Sequence, residues 1–323
     1  MSERSRRVAV TGATGFIGRH LTAHLVSQGA DVRAIVRARS AHAAPPGATT
    51  VQAPLETSAL TEAFAGVDAV VHLAGIVSTV REREYIDVNV RGTQAVAAAA
   101  RAAGARLIYV SSLAAAGPAS PAAPRREEDP SAPLTPYGHS KLAGERLITA
   151  IEGLRWTILR PSVVYGPGDR AMLPLFRFAR LGILPLVGRR DAAYTFIYVH
   201  DVVRAIDAAL AAPTLQDTVF VGHPHPVTAR DLLTRIQAAL GGSALTIPIP
   251  SVITDLAAMA GEAAGKLIGR PMLLNRWRNV EISAEGFVCH VDRLRDRLGI
   301  VAEVDLQRGL NETARWYRQQ GWL

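Results

Sequence analysis

The sequence predicts an α/β protein: a doubly wound parallel sheet followed by a smaller, mostly helical C-terminal domain. Three observations lead there. Short apolar runs alternate with helical stretches between residues 7 and 159. Those runs are continuously apolar, as strands buried on both faces require. Glycines cluster at the turn between the first run and the first helix. Alternation of this kind gives right-handed crossovers and helices on both faces of one sheet.

The elements follow in order. Residues 7–12 (RVAVTG) read as a short buried strand ending at a glycine, and 16–28 as a helix. A second strand spans 32–36 and a weak third 51–52. Residues 59–65 look helical, 69–73 (AVVHL) form a clear strand, and 85–103 a long Ala-rich helix. Strand 107–110 (LIYV), helix 137–152 and strand 156–159 complete the alternation. The pattern then loosens through 163–190. Beyond it come a short strand at 194–199, a helix at 201–211, a strand at 219–221 and an amphipathic helix at 228–240. Helices at 251–268 and 306–319 end the chain. Residues 119–136 are Pro/Ala-rich and read as a flexible loop. The expected division is a dinucleotide-type sheet domain over 1–165, rejoined by 195–225, and a substrate domain over 166–194 and 226–323.

Composition narrows the function classes. The chain has 323 residues, 49% of them hydrophobic and 20% charged, enough for a sizeable core and against wholesale disorder. One cysteine, Cys289, excludes a disulfide framework and a Cys-ligated zinc site. No run of 18 apolar residues exists, so no integral membrane segment is expected. Residues 1–7 are polar and basic with no apolar stretch after them, so no secretory signal is read and a cytoplasmic location is expected. The net charge of +8 comes from scattered basic residues, 34 Arg and 2 Lys, the densest runs being Arg4–Arg6–Arg7 and Arg125–Arg126. With 6% aromatics and no recognition motif, nucleic acid is not an expected partner; a small-molecule substrate is. His223-Pro-His-Pro226 reads as a loop, and no metal site is expected.

Gly12, Gly15 and Gly18 stand between a strand and a helix. In that context Gly12 permits the tight turn, Gly15 lets the backbone approach a pyrophosphate, and Gly18 allows close packing. The helix N-terminus presents unpaired N–H groups and a positive dipole end. Thr14, Phe16 and Ile17 belong to the same cradle of a Rossmann-type dinucleotide site. The end of the second strand, Val36-Arg37-Ala38-Arg39, carries no carboxylate to repel a ribose 2′-phosphate, and Arg37 can clamp one through its guanidinium. NADP(H) is therefore favoured over NAD(H).

Tyr137 and Lys141 lie four apart on one helix and face the same way. Seven tyrosines and two lysines in 323 residues give roughly 0.04 such pairs by accident. A nearby ammonium is expected to lower the phenol's pKa and make Tyr137 a usable proton donor or acceptor. Ser112 closes the LIYVSS strand at the C-terminal edge, where ligands bind in such sheets, and can hold a carbonyl oxygen.

Together the glycine triplet, Ser112 and Tyr137–Lys141 resemble the extended short-chain dehydrogenase/reductase family, also called the NAD-dependent epimerase/dehydratase family. The resemblance covers nearly the whole chain. His72-Leu73-Ala74-Gly75 resembles the family's strand-four motif, and Asn89 its helix-four asparagine, which supports the lysine through water. The segment from Leu159 to Pro167, with Pro161, Val163 and Val164, resembles the stretch behind the nicotinamide. Such members often pair as homodimers through two long helices, here 85–103 and 137–152. Two departures matter. The family's strand-three motif normally ends in Gly-Asp-Leu; Ala53-Pro54-Leu55 stands here, keeping Leu55 beside the adenine but losing the Asp. Nucleotide-sugar members carry a diphosphate-binding arginine where this chain has Tyr194, although Arg189 or Arg190 could substitute.

The resemblance therefore implies an NAD(P)-dependent oxidoreductase of the hydroxysteroid-dehydrogenase-like or dihydroflavonol-reductase-like kind. Its substrate would be a sterol-, terpenoid- or flavonoid-like secondary alcohol or ketone. Leu173, Leu175, Phe176, Phe178, Tyr194 and the 251–268 helix are expected to supply the apolar wall; for that helix, dipping into a membrane surface is the other reading, which a pocket wall fits at least as well. The alternatives are a nucleotide-sugar epimerase or dehydratase and a non-catalytic dinucleotide-binding subunit.

Overall fold

The computed structural model describes residues 5–38, 40 and 44–323; Arg4 and Arg39, named above, lie outside them. The first half of the chain runs β1 (Arg7–Thr11), α1 (Phe16–Ser27), β2 (Asp31–Val36), β3 (Thr49–Gln52), α2 (Thr57–Ala63), β4 (Ala69–His72), α3 (Gly92–Ala102), β5 (Arg106–Val110), α4 (Pro136–Thr149) and β6 (Trp156–Pro161). The second half runs β7 (Val163–Tyr165), α5 (Leu173–Arg180), β8 (Ile183–Leu186), β9 (Ala193–Tyr194), β10 (Phe196–Tyr198), α6 (Val199–Ala211) and β11 (Thr218–Val221). It ends with β12 (Val227–Thr228), α7 (Ala229–Leu240), β13 (Leu245–Pro248), α8 (Ser251–Ile268), α9 (Arg276–Ser283), β14 (Gly286–Phe287), α10 (Asp292–Leu298) and α11 (Leu306–Gln319).

Seven strands form the main sheet in the order β11-β6-β5-β4-β1-β2-β3, all parallel. This is the doubly wound arrangement expected. The order reverses between β1, whose chain continues outward to β2, and β4, which lies on its other side. That switch opens a crevice at the C-terminal edge. Alternate residues of each strand enter opposite cores. Val8 and Val10 pack with Leu21, Leu25 and Ile206 under α1 and α6, whereas Ala9, Val70 and Leu107 pack with Leu60, Val96 and Ile148 under α2, α3 and α4. Both faces are covered, which is why the strands read as continuous apolar runs.

A third core lies in the C-terminal part, where Tyr165, Phe176, Leu184, Tyr198, Leu310 and Tyr317 are buried together. Three expectations change here. Phe176 is fully buried with its ring edge-on to Tyr317 at 5.3 Å, so it is a core residue and not part of a substrate wall; Leu173 packs against the same cluster. The large apolar residues of α8 face outward, and only Thr254, Ala258 and Gly265 of that helix are buried. The Pro/Ala-rich loop is pinned: Ala119 and Arg125 bridge to Phe287 and Cys289, and Phe220 N–H donates to the Glu127 carboxylate at 3.0 Å. The helix expected over 85–103 is also divided. Tyr85–Arg91 winds as a π-helix before α3 begins.

Candidate active site

The glycine turn after β1 is built as a cradle. Gly12 has φ +72°, and a Cβ there would lie 2.7 Å from Ala74 N. A Cβ on Gly18 would lie 2.1 Å from Gly12 O, so only glycine lets α1 pack this closely on the turn. Gly15 N–H donates to Gly12 O at 2.9 Å and Gly15 caps α1 with no side-chain hydrogen bond, which leaves the first-turn amides to a ligand. Small backbone, open amides and a positive helix end fit a pyrophosphate. Thr14, Phe16 and Ile17 are half-buried at this mouth, and the loop after β7 leans over it, His20 bonding Pro167 O at 2.8 Å.

The loop after β4 forms the neighbouring wall. Thr11 holds it, Leu73 N–H donating to Thr11 O and Ala74 N–H to Thr11 Oγ1. Asn89 grips the next residue: its Oδ1 accepts from Ile76 N at 2.8 Å and its Nδ2 donates to Ile76 O at 2.9 Å. The same Nδ2 donates to Ser140 Oγ at 2.9 Å. Asn89 thus joins the β4 loop to α4. Beneath them His72 is wholly buried between the Thr11 and Thr93 hydroxyls, at 2.7 and 3.0 Å. Burial and the Lys141 charge hold its imidazole down at about 3, so it is neutral.

Ser112 and Tyr137 are brought together by close packing. Thr135 caps α4 by accepting from Gly138 N–H, and Pro136 presets the first turn. A Cβ on Gly138 would lie 2.5 Å from Ala114 O, so this glycine lets α4 sit against the turn that follows Ser112. Ser112 is thereby set close enough to the Tyr137 phenol to pull its pKa down. Lys141, one turn on, is buried; its ammonium donates to Val110 O at 2.9 Å and lies 4.3 Å from the centre of the Tyr109 ring. Desolvation pulls it down to about 7, against the Glu145 carboxylate, which raises it. The phenol moves opposite to the sequence expectation. Burial pushes Tyr137 up to about 12, aided by Glu281 and Tyr85, while Ser112 opposes the rise. Tyr137 is therefore a protonated donor in this arrangement.

Four groups near this cleft were not singled out from the sequence. Glu145 continues the Tyr137–Lys141 row by one more turn, a spacing of four that could have exposed it. It accepts from Ser111 Oγ and is clamped by Arg160, whose Nε and second guanidinium nitrogen reach its two oxygens at 2.9 and 2.6 Å. Glu281 enters from α9. It accepts from Thr135 Oγ1 at 3.3 Å, lies 3.5 Å from the Arg278 guanidinium and is pushed up by burial. No local pattern marks Glu281, because its place depends on a contact with residues about 140 positions earlier. Of the other candidates, Tyr194 is half-buried near Arg278 and Glu281, and Leu55 packs beside Gly92. Arg37 is exposed just past β2, Val163 is exposed, and Pro161 is buried. Arg189 pairs with Asp191 on the surface. Among the described residues no His, Cys, Asp and Glu cluster could hold a metal.

Residues 8–222 match the NAD dependent epimerase/dehydratase family, and the chain belongs to it. The fold and site thus define an NAD(P)-dependent enzyme of the short-chain dehydrogenase/reductase class. The chain is 30% identical to the ceramide reductase of Caulobacter vibrioides, over 98% of this chain and 96% of that protein. It is 27% identical to the 2-alkyl-3-oxoalkanoate reductase of Shewanella oneidensis, over 93% and 84%. Its fold is similar to that of MoeE5 in complex with UDP-glucose and NAD, with a TM-score of 0.77 and 25% identity, over 97% of this chain and 99% of that one.

Glu145 and Arg160 are 5 and 7% exposed, so removing one leaves the other charged and buried. Glu145→Ala is expected to lower unfolding free energy by about 3–5 kcal/mol, whereas Glu145→Leu with Arg160→Met should recover most of that loss. Urea unfolding of the two variants beside the wild-type protein checks it.

Proposed function

We propose that this NAD(P)-dependent oxidoreductase prefers NADP(H) and interconverts a secondary alcohol and a ketone on an apolar small molecule. The observation that carries the reading is the close packing of the Tyr137 turn of α4 on the turn after Ser112, which sets the two hydroxyl-bearing residues together beside the crevice of the sheet. When bound, the nicotinamide supplies or accepts the hydride at the carbinol carbon. In the reducing direction the Tyr137 hydroxyl gives its proton to the ketone oxygen, and the Ser112 hydroxyl orients that oxygen. Lys141 serves the ribose and recharges the phenol, and Asn89 fixes the wall and helix between which they sit. Leu73, Ala74, Gly75, Leu55, Pro161, Val163 and Val164 line the cofactor's path. Residues 166–194 and 226–323 carry the substrate.

Two things favour an apolar substrate over one that carries a diphosphate. Tyr194 stands where an arginine would meet a diphosphate, and the Glu281 carboxylate near Tyr137 would repel one. The two reductases similar along most of the chain carry names that denote a lipid and an alkylated oxoacid. The competing reading, a nucleotide-sugar epimerase, has in its favour the likeness to MoeE5. A thermal-shift comparison with NADP present separates them. Long-chain or polycyclic ketones and alcohols should stabilise the protein; stabilisation by UDP-sugars alone would reverse the assignment.

Tyr137→Phe removes only the proton donor. Turnover should fall by about 10²–10⁴-fold with NADPH affinity unchanged, and near wild-type turnover would end this mechanism. Arg37→Ala should weaken NADPH binding about 10-fold and leave NADH binding nearly as it was, since one charge-assisted phosphate contact contributes about 1.5–3 kcal/mol. Equal binding of both cofactors by the wild-type protein would show that Arg37 does not read the phosphate.

A further inference from the structure

The outer face of α8 is apolar and uncovered. Val252, Leu256, Met259, Ala263 and Leu267 recur at spacings of three and four and form one stripe. Leu256, Met259 and Leu267 are 61, 68 and 89% exposed. The opposite face is made of small residues seated on the following segment. A Cβ on Gly261 would lie 2.1 Å from Leu274 O, and one on Gly265 2.9 Å from Arg270 O. The helix is held by its small side and shows its large one. Ile268, Met272 and Leu273 extend the exposed apolar surface past its C-terminus. A continuous patch of this kind marks an interaction surface, unlike scattered single residues.

Charge identifies the occupant. From residue 263 to 278 the chain has four basic residues, Lys266, Arg270, Arg276 and Arg278, and no acidic one. Lys266 bridges to Glu262 and Arg278 lies near Glu281, while Arg270 and Arg276 are exposed, Arg276 above the Trp277 ring at 4.9 Å. A second copy docked about a two-fold axis would bring this cationic collar against itself. An anionic lipid surface complements both parts, apolar stripe to acyl boundary and collar to phosphates. No helix among the described residues is long and apolar enough to cross a membrane, so the mode is lying on the surface.

Position gives the surface a purpose. Trp277 donates to Glu82 at 2.9 Å, and Val80 lies against Gly265, so α8 and α9 rest on the loop between β4 and α3. Tyr85 ties that loop to the cleft: its hydroxyl donates to Val77 O at 3.2 Å, and its ring is 6.5 Å from that of Tyr137. The helix that bears the stripe therefore rests, by its opposite face, on the loop that borders the site.

We infer that the α8 face and its cationic collar dock the protein on an anionic lipid bilayer, with the cleft mouth beside the membrane. Delivery of an apolar substrate from that bilayer rests on the proposed reaction, but docking does not, and the test contains no ketone. The full chain is sedimented with vesicles of phosphatidylglycerol and phosphatidylcholine in equal parts, and with phosphatidylcholine alone. Wild-type protein should pellet with the anionic vesicles and release as salt rises. Leu256→Glu with Leu267→Glu should reduce binding at least about tenfold with NADPH affinity kept. Should that variant lose NADPH binding, Arg270→Glu with Arg276→Glu decides by the same loss. The inference is overturned if wild-type protein stays in the supernatant, or if the folded variant binds as wild type does. It is also overturned if light scattering finds a wild-type dimer that Leu256→Glu with Leu267→Glu splits, which would assign the face to a second copy.

Discussion

An ammonium buried in an apolar cleft has to be satisfied from several sides or it gives up its proton, and the packing around Lys141 answers that demand. The β5 strand supplies the Val110 carbonyl and the face of Tyr109. The next turn of α4 supplies Glu145, and β6 supplies Arg160 to hold Glu145 in place. Arg160 in turn lies 5.7 Å from the Phe220 ring of β11, the strand that returns to the sheet from the second half of the chain. Three adjacent strands and one helix thus converge on a single charge. Burial lowers Lys141 to about 7 even so, which leaves its protonation sensitive to what binds beside it. An arginine could not respond in this way, because it stays protonated throughout. That accounts for a lysine here in a chain that otherwise uses arginine almost everywhere.

Much of this was legible in the sequence because it is local. The glycine turn and the row of Tyr137 and Lys141 each fit within a few turns of chain and stand where expected, whereas the strand before Ser112 ends at Val110 and Ser112 caps the short turn that follows. What was not legible depends on partners far away. Phe176 reads equally well as a pocket wall or a core residue until Tyr317 is placed beside it. The π-turns around Asn89 keep a helical pattern in sequence, yet their wider winding is what lets the amide reach Ile76 and Ser140. Residues 163–198 form strands of two to four residues, too short to show a period. The tyrosine's pKa is illegible for a related reason: spacing shows the lysine, but only the fold shows the desolvation and the Glu281 carboxylate that raise the phenol.

α8 illustrates how an apolar count can mislead about direction. Its many hydrophobic residues suggested an inward wall. The glycines and alanines on its other side decide the matter, since only they let the helix approach the backbone of residues 270–274 so closely. The cleft beside it gathers a few polar groups, Ser112, Tyr137 and Glu281.

The proposed reaction requires hydride transfer to a ketone carbon outside the protein. Incubation of the enzyme with a long-chain ketone and NADPH deuterated at C4 of the nicotinamide, followed by mass spectrometry of the alcohol, tests it most directly. One deuterium at the carbinol carbon, with matching loss of NADPH, is the predicted result. An unlabelled product, or turnover of a UDP-sugar with no net consumption of NADPH, would contradict it.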